Sequence, residues 1–262
     1  MLVIGELING MYQNVKKAIQ AKDKSAIQKL AKDQVAAGAD VLDVNVGPAS
    51  ADPKAAMKWL VQSIREAVNA PLSIDSTKAD VIEEGLKIAG KGSTINSTSA
   101  DDERLNVLLP MAKKYDANVI ALTMDKAGVP RDINKKAELA LKIIASSMEH
   151  GVELEKIYID PIVLPVNVAQ EHCGELLEAI REFQVLCSPA PKTIVGLSNV
   201  SQRALERSLI NRTYLVMAIA NGLSAAIMDP LDKDLMDAMI TAELILNKNI
   251  YCDSYLEAYR KK

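Results

Sequence analysis

The chain has 262 residues, of which 49% are hydrophobic and 25% are charged, and its 31 basic and 34 acidic residues give a net charge of −3. A chain of this length buries a sizeable core without disulfides or metals, and its charge balance excludes a broadly basic nucleic-acid-binding protein. Because apolar stretches stay far below the ~18 residues of a membrane span, no basic signal segment opens the chain and no Cys-x-x-Cys occurs, we expect a cytoplasmic protein with reduced thiols and no membrane partner.

Short β-branched runs alternate with longer amphipathic stretches along the whole chain. The short runs predict eight strands, at residues 2–8, 41–46, 72–75, 93–96, 119–123, 157–160, 193–197 and 225–228. The longer stretches predict eight helices, at residues 25–37, 53–68, 78–89, 101–115, 135–150, 173–186, 210–222 and 235–246. No linker rich in Ser, Gly or Pro divides the chain, so we predict one domain spanning residues 1–262.

Most of the predicted strands are apolar on both faces, as expected of a parallel sheet that is covered by helices. Eight β/α units in about this length are typical of the α/β class known as the (β/α)8 or TIM barrel. An open, doubly wound sheet has the same local signature, but no GxGxxG motif follows the first strand. The sequence therefore predicts a TIM barrel.

Polar residues end nearly every predicted strand. Each one alone is equally well explained as a helix cap or a turn former. In a barrel, however, the carboxyl ends of all strands meet at one mouth, where the catalytic groups lie, so the set predicts a site for a flat heterocycle rich in hydrogen-bond donors and acceptors. These strand-end residues are Glu6, Asn9, Asp43, Asn45, Asp75, Asn96, Asp160, Ser198, Asn199 and Asp229.

The residue types that the chain lacks narrow the chemistry further. Of its two histidines, His150 closes a helix and His172 follows the sixth strand, where we expect a surface position. There is no cluster of His and Cys for zinc, no GxSxG motif and no Walker A motif. We therefore expect no metal in this chain, and a reaction in which the reactive atom comes from elsewhere.

Five strand-end motifs carry a resemblance that covers essentially the whole chain. They are LDVNVGPAS (42–50), LSIDST (72–77), TINSTS (94–99), YIDPIVLP (158–165) and IVGLSNVSQ (194–202). Together they resemble the pterin-binding barrel family, which includes dihydropteroate synthases, the folate domain of methionine synthase and methyltetrahydrofolate:corrinoid methyltransferases. GELING (5–10), LDVNVGPA (42–49) and VLPVNVAQ (163–170) most resemble the methyltetrahydrofolate:corrinoid/iron-sulfur protein methyltransferases of acetogenic bacteria.

That resemblance implies an enzyme that moves the N5 methyl group between 5-methyltetrahydrofolate and the cobalt of a corrinoid. Because the chain lacks the corrinoid-binding signature DxHxxG, the cobalamin-type corrinoid is expected on a separate partner protein. The expected partner is a corrinoid/iron-sulfur protein of acetyl-CoA synthesis or a corrinoid protein of a demethylation system, and the direction of transfer stays open. The resemblance also implies a homodimer.

The resemblance places Asn199 beside N5 of the folate as the catalytic residue, where its amide would assist the departing nitrogen. The exocyclic amine and ring N–H of the pterin suit a carboxylate, for which Asp160 is the best candidate, the alternative being an Asp-Pro turn. Gln202 and Arg207 are the expected contacts with the glutamate tail, although solvated helix residues are an equal alternative. The other predicted pterin contacts are Asp75, Asn96, Gly196 and Ser198. Asp43 and Asn45 are expected to orient them, with a direct contact to the pterin as the alternative for Asn45.

Three other functions were weighed against methyl transfer. A dihydropteroate synthase would carry Ser-Arg-Lys where this chain has Ser198-Asn199-Val200, and cationic groups where it has Asp229-Pro230. A non-catalytic folate-binding protein would need the pterin contacts but not the N5 hydrogen bond. A sugar-processing barrel could use two carboxylates as an acid/base pair, but the chain has only 9 aromatic residues, one Trp, seven Tyr and one Phe, for stacking.

Overall fold

The computed structural model describes residues 1–260. Eight parallel strands close into a barrel in chain order, with the eighth strand paired to the first. This closure confirms the predicted TIM barrel and excludes the open sheet. The strands are β1 (Leu2–Asn9), β2 (Val41–Asn45), β3 (Leu72–Asp75), β4 (Thr94–Ser99), β5 (Asn118–Leu122), β6 (Ile157–Asp160), β7 (Lys192–Gly196) and β8 (Ala225–Met228).

Helices follow the strands and cover the outside of the barrel. In the described residues they are α1 (Gln13–Ala21), α2 (Lys24–Ala36), α3 (Pro53–Arg65), α4 (Ala79–Ala89), α5 (Asp102–Tyr115), α6 (Ile133–Glu149), α7 (Gln170–Phe183), α8 (Arg207–Ala220), α9 (Lys233–Ile245) and α10 (Tyr255–Arg260). None of these helices has the length and apolar character that crossing a membrane requires.

Two of these helices were absent from the predicted set. In α1, the buried residues Val15, Ala18 and Ile19 have the i, i+3, i+4 spacing of an amphipathic helix, so the signal was present in the sequence. The six-residue α10 packs Tyr255 and Tyr259 against the core beside β7 and β8. A helix this short depends on such packing and is not stable alone.

The apolar core inside the barrel lies toward the amino ends of the strands, and polar residues occupy the carboxyl ends. One cluster of apolar side chains lies inside the barrel, contributed by six different strands; it consists of Ile4, Val41, Ile120, Tyr158, Ile194 and Ala225. Most of these residues lie in the first half of their strands. Larger apolar clusters fill the space between the strands and the helices. The interior is therefore closed at the amino ends of the strands and polar at the mouth.

Candidate functional site

Three predicted site residues lie side by side at the mouth because the strands are in register. Asn45, Asp75 and Asn96 are Cα partners across β2, β3 and β4. One layer deeper, Asp43 is paired in the same way with Ser73. Asn96 had been predicted to end its strand. Because β4 continues to Ser99, Asn96 lies within the strand instead.

Asp43 connects these two layers. Its Oδ1 atom accepts hydrogen bonds from Ser73 Oγ at 2.7 Å and from Asn96 Nδ2 at 2.9 Å. The side chain is buried, and burial together with the nearby Asp75 carboxylate raises the pKa of Asp43 well above its usual range. Since the Asn96 amide donates inward to Asp43, its carbonyl oxygen is the atom that remains to accept from a ligand.

Asn45 and Asp75 form a second connected pair at the rim. Asn45 Nδ2 donates to Asp75 Oδ2, and the other end of the Asn45 amide accepts from the Gly47 backbone N–H. Burial raises the pKa of Asp75, and the hydrogen bond from Asn45 partly offsets that rise. These contacts fit the predicted orienting role of Asn45, which stays a prediction.

Asp160 ends β6 and is buried. Its Oδ1 atom accepts from the Ile162 N–H at 2.7 Å, so an Asp-Pro turn does form here, as the alternative reading of this residue required. Burial raises the pKa of Asp160 to about 7, against the lowering effects of the Ile162 N–H and of the Lys136 ammonium group. Within the described residues Asp160 Oδ2 has no hydrogen bond, so this oxygen and the second lone pair of Oδ1 can both accept from a ligand.

Gly196 and Asn199 lie in contact after β7, where a single 3-10 turn spans Leu197–Asn199. A Cβ atom on Gly196 would lie 2.9 Å from Asn199 Nδ2. The predicted approach of the pterin to Gly196 stays a prediction; in the structure, the Asn199 amide lies beside this glycine. Asn199 itself is exposed at the mouth.

Arg207 and Ser198 tie the beginning of α8 to this turn. Arg207 donates from Nε to Ser201 Oγ at 3.2 Å and from Nη2 to the Ser198 carbonyl at 3.4 Å. Both Arg207 and Gln202 are exposed, so their charged and amide groups are accessible on this side of the mouth. The predicted residues after β7 are thus brought together, while Asp160 is held on a separate turn.

Glu6 was named among the strand ends but was not placed in the predicted site. Ser198 Oγ donates to Glu6 Oε1 at 2.7 Å, which joins β1 to the β7 turn. Burial raises the pKa of Glu6 to about 7; the hydrogen bond from Ser198 opposes that rise. The Glu6 carboxyl is thus bonded to the residue that precedes Asn199. Contrary to the prediction, Glu6 lies within β1 and not at the end of the strand, and a charged residue inside this mostly apolar strand was the signal that the sequence carried.

Three further residues support the mouth without having been predicted to do so. Arg104 donates to the Thr77 carbonyl at 2.9 Å and to the Ser97 carbonyl at 2.7 Å, which links the turn after β3 to strand β4. His172 is buried, so the expectation of a surface position was wrong: its Nε2 lies 3.1 Å from the Ile162 carbonyl. Lys136 is buried on the apolar face of α6, and a lysine at a core-facing position of a helix is a signal that the sequence carried.

The site therefore offers acceptor oxygens on one side of the mouth and a cationic group with an exposed amide on the other. Acceptors on β2, β3, β4 and β6 suit the amine and ring N–H groups of a flat heterocycle. Within residues 1–260, no group of three or more His, Cys, Asp or Glu side chains is arranged to hold a metal ion. The arrangement favours recognition and proton exchange by hydrogen bonds.

Comparison with known proteins finds relatives that match this chain over most or all of its length. A methylcorrinoid:tetrahydrofolate methyltransferase of Eubacterium limosum is 32% identical over 266 residues, which cover 100% of this chain and 97% of that protein. The methionine synthase of Mycobacterium tuberculosis is 32% identical over 240 residues, which cover 87% of this chain and 20% of that longer protein. The prediction that the chain is an enzyme is confirmed by these relatives.

Solved structures show the same fold at lower identity. A dihydropteroate synthase of Coxiella burnetii in complex with pteroic acid superposes with a TM-score of 0.71 at 17% identity, over 95% of this chain and 94% of that one. A dihydropteroate synthase of Yersinia pestis gives a TM-score of 0.71 at 18% identity, with the same coverage. Residues 8–229 match the sequence profile described as pterin binding enzyme. The chain belongs to the family of pterin binding enzymes.

Proposed function

We propose that this protein transfers the N5 methyl group between 5-methyltetrahydrofolate and the cobalt of a corrinoid held by a separate protein. The observation that carries the proposal is the arrangement at the mouth, where acceptor oxygens from several strands face an exposed Asn199 amide. The relative of almost equal length, whose name joins methylcorrinoid and tetrahydrofolate, supports the same reaction.

Asp160 is the proposed anchor of the pterin. The exocyclic amine and the neighbouring ring N–H form a donor pair that a carboxylate accepts in a bidentate manner. Asp75 and the Asn96 carbonyl would accept from the rest of the ring edge. Asp43 and Asn45 hold these two groups in place through the hydrogen bonds described above.

Asn199 is the proposed catalytic residue at N5. When the N5–methyl bond breaks, the electron pair stays on nitrogen, and a tertiary amine departs poorly unless N5 gains a proton or a strong hydrogen bond. A side-chain amide donates with Nδ2 and accepts with Oδ1, so Asn199 can serve N5 in either protonation state by rotating. A Co(I) corrinoid on the partner would supply the nucleophile that takes the methyl group.

The glutamate tail of the folate would lie over the residues that follow β7. Arg207 is exposed beside Ser198, and Gln202 is exposed in the same loop. A guanidinium suits the carboxylates of the tail, and an amide suits its peptide-like link. The exposed position of both residues at the rim is consistent with a tail that leaves the mouth toward solvent.

The partner would dock on the loops at the mouth. Exposed apolar side chains occur on the loops or helix beginnings after β1, β6, β7 and β8, and apolar side chains grouped at one rim suit contact with another protein. These residues are Met11, Tyr12, Val168, Leu205, Leu209 and Leu231. A corrinoid/iron-sulfur protein of the acetyl-CoA pathway and a corrinoid protein of a demethylation system are the two partner classes that we propose. A homodimer and a cytoplasmic location of this one-domain protein complete the proposal.

Two measurements test this function. Thermal melting should shift upward with tetrahydrofolate and not with sugars, because a ligand that binds only the folded state stabilises it. Incubation with 5-methyltetrahydrofolate and Co(I) cobalamin should then give methylated cobalamin. A melting shift without methyl transfer to cobalamin or to a corrinoid protein would instead identify a folate-binding protein.

A further inference from the structure

Lys136 is a fully buried lysine near the candidate pterin anchor. It lies in the first turn of α6 on the same face as the buried Leu139, Ala140 and Ile143. Its Nζ atom donates to the Pro161 carbonyl at 2.7 Å. Burial of an ammonium group costs free energy unless the group meets an acceptor and a counter-charge. Burial lowers the pKa of Lys136 to about 8, while Asp160 and Glu175 act to raise it.

The turn that Lys136 contacts has an unusual backbone. Ile162 has a φ of 65°, in the left-handed region that β-branched residues rarely adopt. Its N–H donates to Asp160 Oδ1, so the orientation of the Asp160 carboxyl depends on this conformation. A strained residue persists only where the surrounding structure holds it.

Two buried side chains hold the turn from outside the barrel. Lys136 of α6 binds the Pro161 carbonyl, and His172 of α7 lies with Nε2 3.1 Å from the Ile162 carbonyl. Two successive backbone carbonyls after Asp160 are therefore fixed by side chains from two helices. Of these two side chains, Lys136 is the one whose positive charge acts on Asp160 and lowers the pKa of its carboxyl.

We propose that Lys136 is a positioning residue for Asp160: its ammonium group fixes the turn from Asp160 to Ile162 and supplies the counter-charge for the carboxylate that accepts the hydrogen bonds of the pterin. This inference rests on the proposed function, because it takes Asp160 as the pterin anchor. It assigns the lysine a role in affinity and in the pH range of binding, with no contact to the ligand.

The charged and titratable groups around Asp160 determine how this role is tested. They are Lys136 on α6, His172 and Glu175 on α7, and Tyr214 on α8. Lys136 favours the ionised carboxyl of Asp160, and Glu175 favours the charged form of Lys136. Loss of the lysine charge should therefore move protonation of Asp160 to higher pH, into the range where the wild-type carboxyl is ionised.

The experiment measures the dissociation constant of tetrahydrofolate by anaerobic calorimetry between about pH 5.5 and 9. Lys136→Met should weaken binding about tenfold or more near pH 7 and shift the acidic midpoint of binding upward by about one pH unit. Lys136→Gln retains a donor for the Pro161 carbonyl without the charge, so it should show the same shift and serves if the Met variant does not fold. The matched control is Lys142→Met on the same helix, which removes an exposed lysine paired with Asp102 at 2.8 Å and should leave the profile unchanged.

The outcomes separate this inference from the proposed function. An upward shift of the midpoint in either variant supports the positioning role. An unchanged affinity, or an affinity that falls equally at every pH, overturns it, since a purely structural lysine would not move the midpoint. If the wild-type protein itself does not bind tetrahydrofolate, the proposed function fails and not only the role of Lys136.

Discussion

The amide nitrogen of Asn199 lies 2.9 Å from the position that a Cβ atom on Gly196 would take. A real Cβ contact is almost never that short, so any side chain at position 196 must displace the amide. We expect Gly196→Ala to slow methyl transfer about tenfold, because misplacing a catalytic group by a few tenths of an ångström already costs rate. The rate under saturating 5-methyltetrahydrofolate is the measurement.

Gly174→Ala is the control for this variant. A Cβ there meets nothing within 4 Å, so the rate should not change. Equal rates for the wild type and Gly196→Ala would show that the Asn199 amide works from another position than the one described.

The Asp160→Asn variant tests the role of the carboxylate charge while the turn at Asp160 is kept. Asp160→Asn retains an oxygen for the Ile162 N–H but presents an amide group to the donor pair of the pterin. We expect tetrahydrofolate binding to weaken by about 2 kcal/mol or more, since a buried charge-assisted pair of hydrogen bonds is lost. Calorimetry on a variant whose folding is checked by circular dichroism tests this, and unchanged affinity would remove Asp160 from the site.

The role of Arg207 is testable with a ligand that lacks the tail. Arg207→Ala should lower the affinity for tetrahydrofolate about three- to fivefold, in the upper range for the loss of an exposed ion pair. Affinity for a tetrahydropterin without the aminobenzoyl-glutamate tail should stay within twofold of the wild type. Arg212→Ala, which removes an arginine paired with Asp234, is the control. Equal losses for both ligands would place Arg207 near the ring and not near the tail.

Because of Glu6, we expect the free energy of unfolding to fall as the pH rises. Burial raises its pKa from 4.5 to about 7, so the folded state favours the protonated carboxyl. Ionisation therefore opposes folding progressively between about pH 4.5 and 7, with a full cost of at most about 3 kcal/mol above that range. Glu6→Gln retains an acceptor for Ser198 and removes this cost.

Urea unfolding at several pH values measures this effect. The Glu6→Gln variant and the wild type should have similar free energies of unfolding near pH 4, and the variant should be more stable near pH 8. A stability difference that is the same at both pH values would show that ionisation of Glu6 is not its cause.

The sequence was sufficient to predict the barrel and the position of most of the polar residues at its mouth. Strands such as β3 and β6 are short apolar runs that end at Asp75 and Asp160, so their ends and the direction of those side chains follow from local pattern. Parallel register then places Asn45, Asp75 and Asn96 side by side, as a barrel requires.

What the sequence did not predict depends on contacts between distant parts of the chain. The bond between Ser198 and Glu6 spans 192 residues and exists only once the barrel closes. His172 shares the buried face of α7 with Leu176 and Ala179, but the predicted helix began only at residue 173, so this signal was missed. The place of the Asn199 amide beside Gly196 is set by the 3-10 turn after β7, which the motif GLSN did not predict.

Single-turnover methyl transfer from 5-methyltetrahydrofolate to Co(I) cobalamin, followed by absorbance at saturating folate, tests the central claim most directly. The wild type should methylate the cobalamin. Asn199→Ala should do so about two orders of magnitude more slowly while binding 5-methyltetrahydrofolate with a much smaller loss, because a hydrogen bond worth ~3 kcal/mol forms mainly in the transition state. Wild-type rates in a stable Asn199→Ala protein would contradict the role of Asn199, and the absence of transfer by the wild type to cobalamin and to corrinoid proteins would contradict the methyltransferase itself.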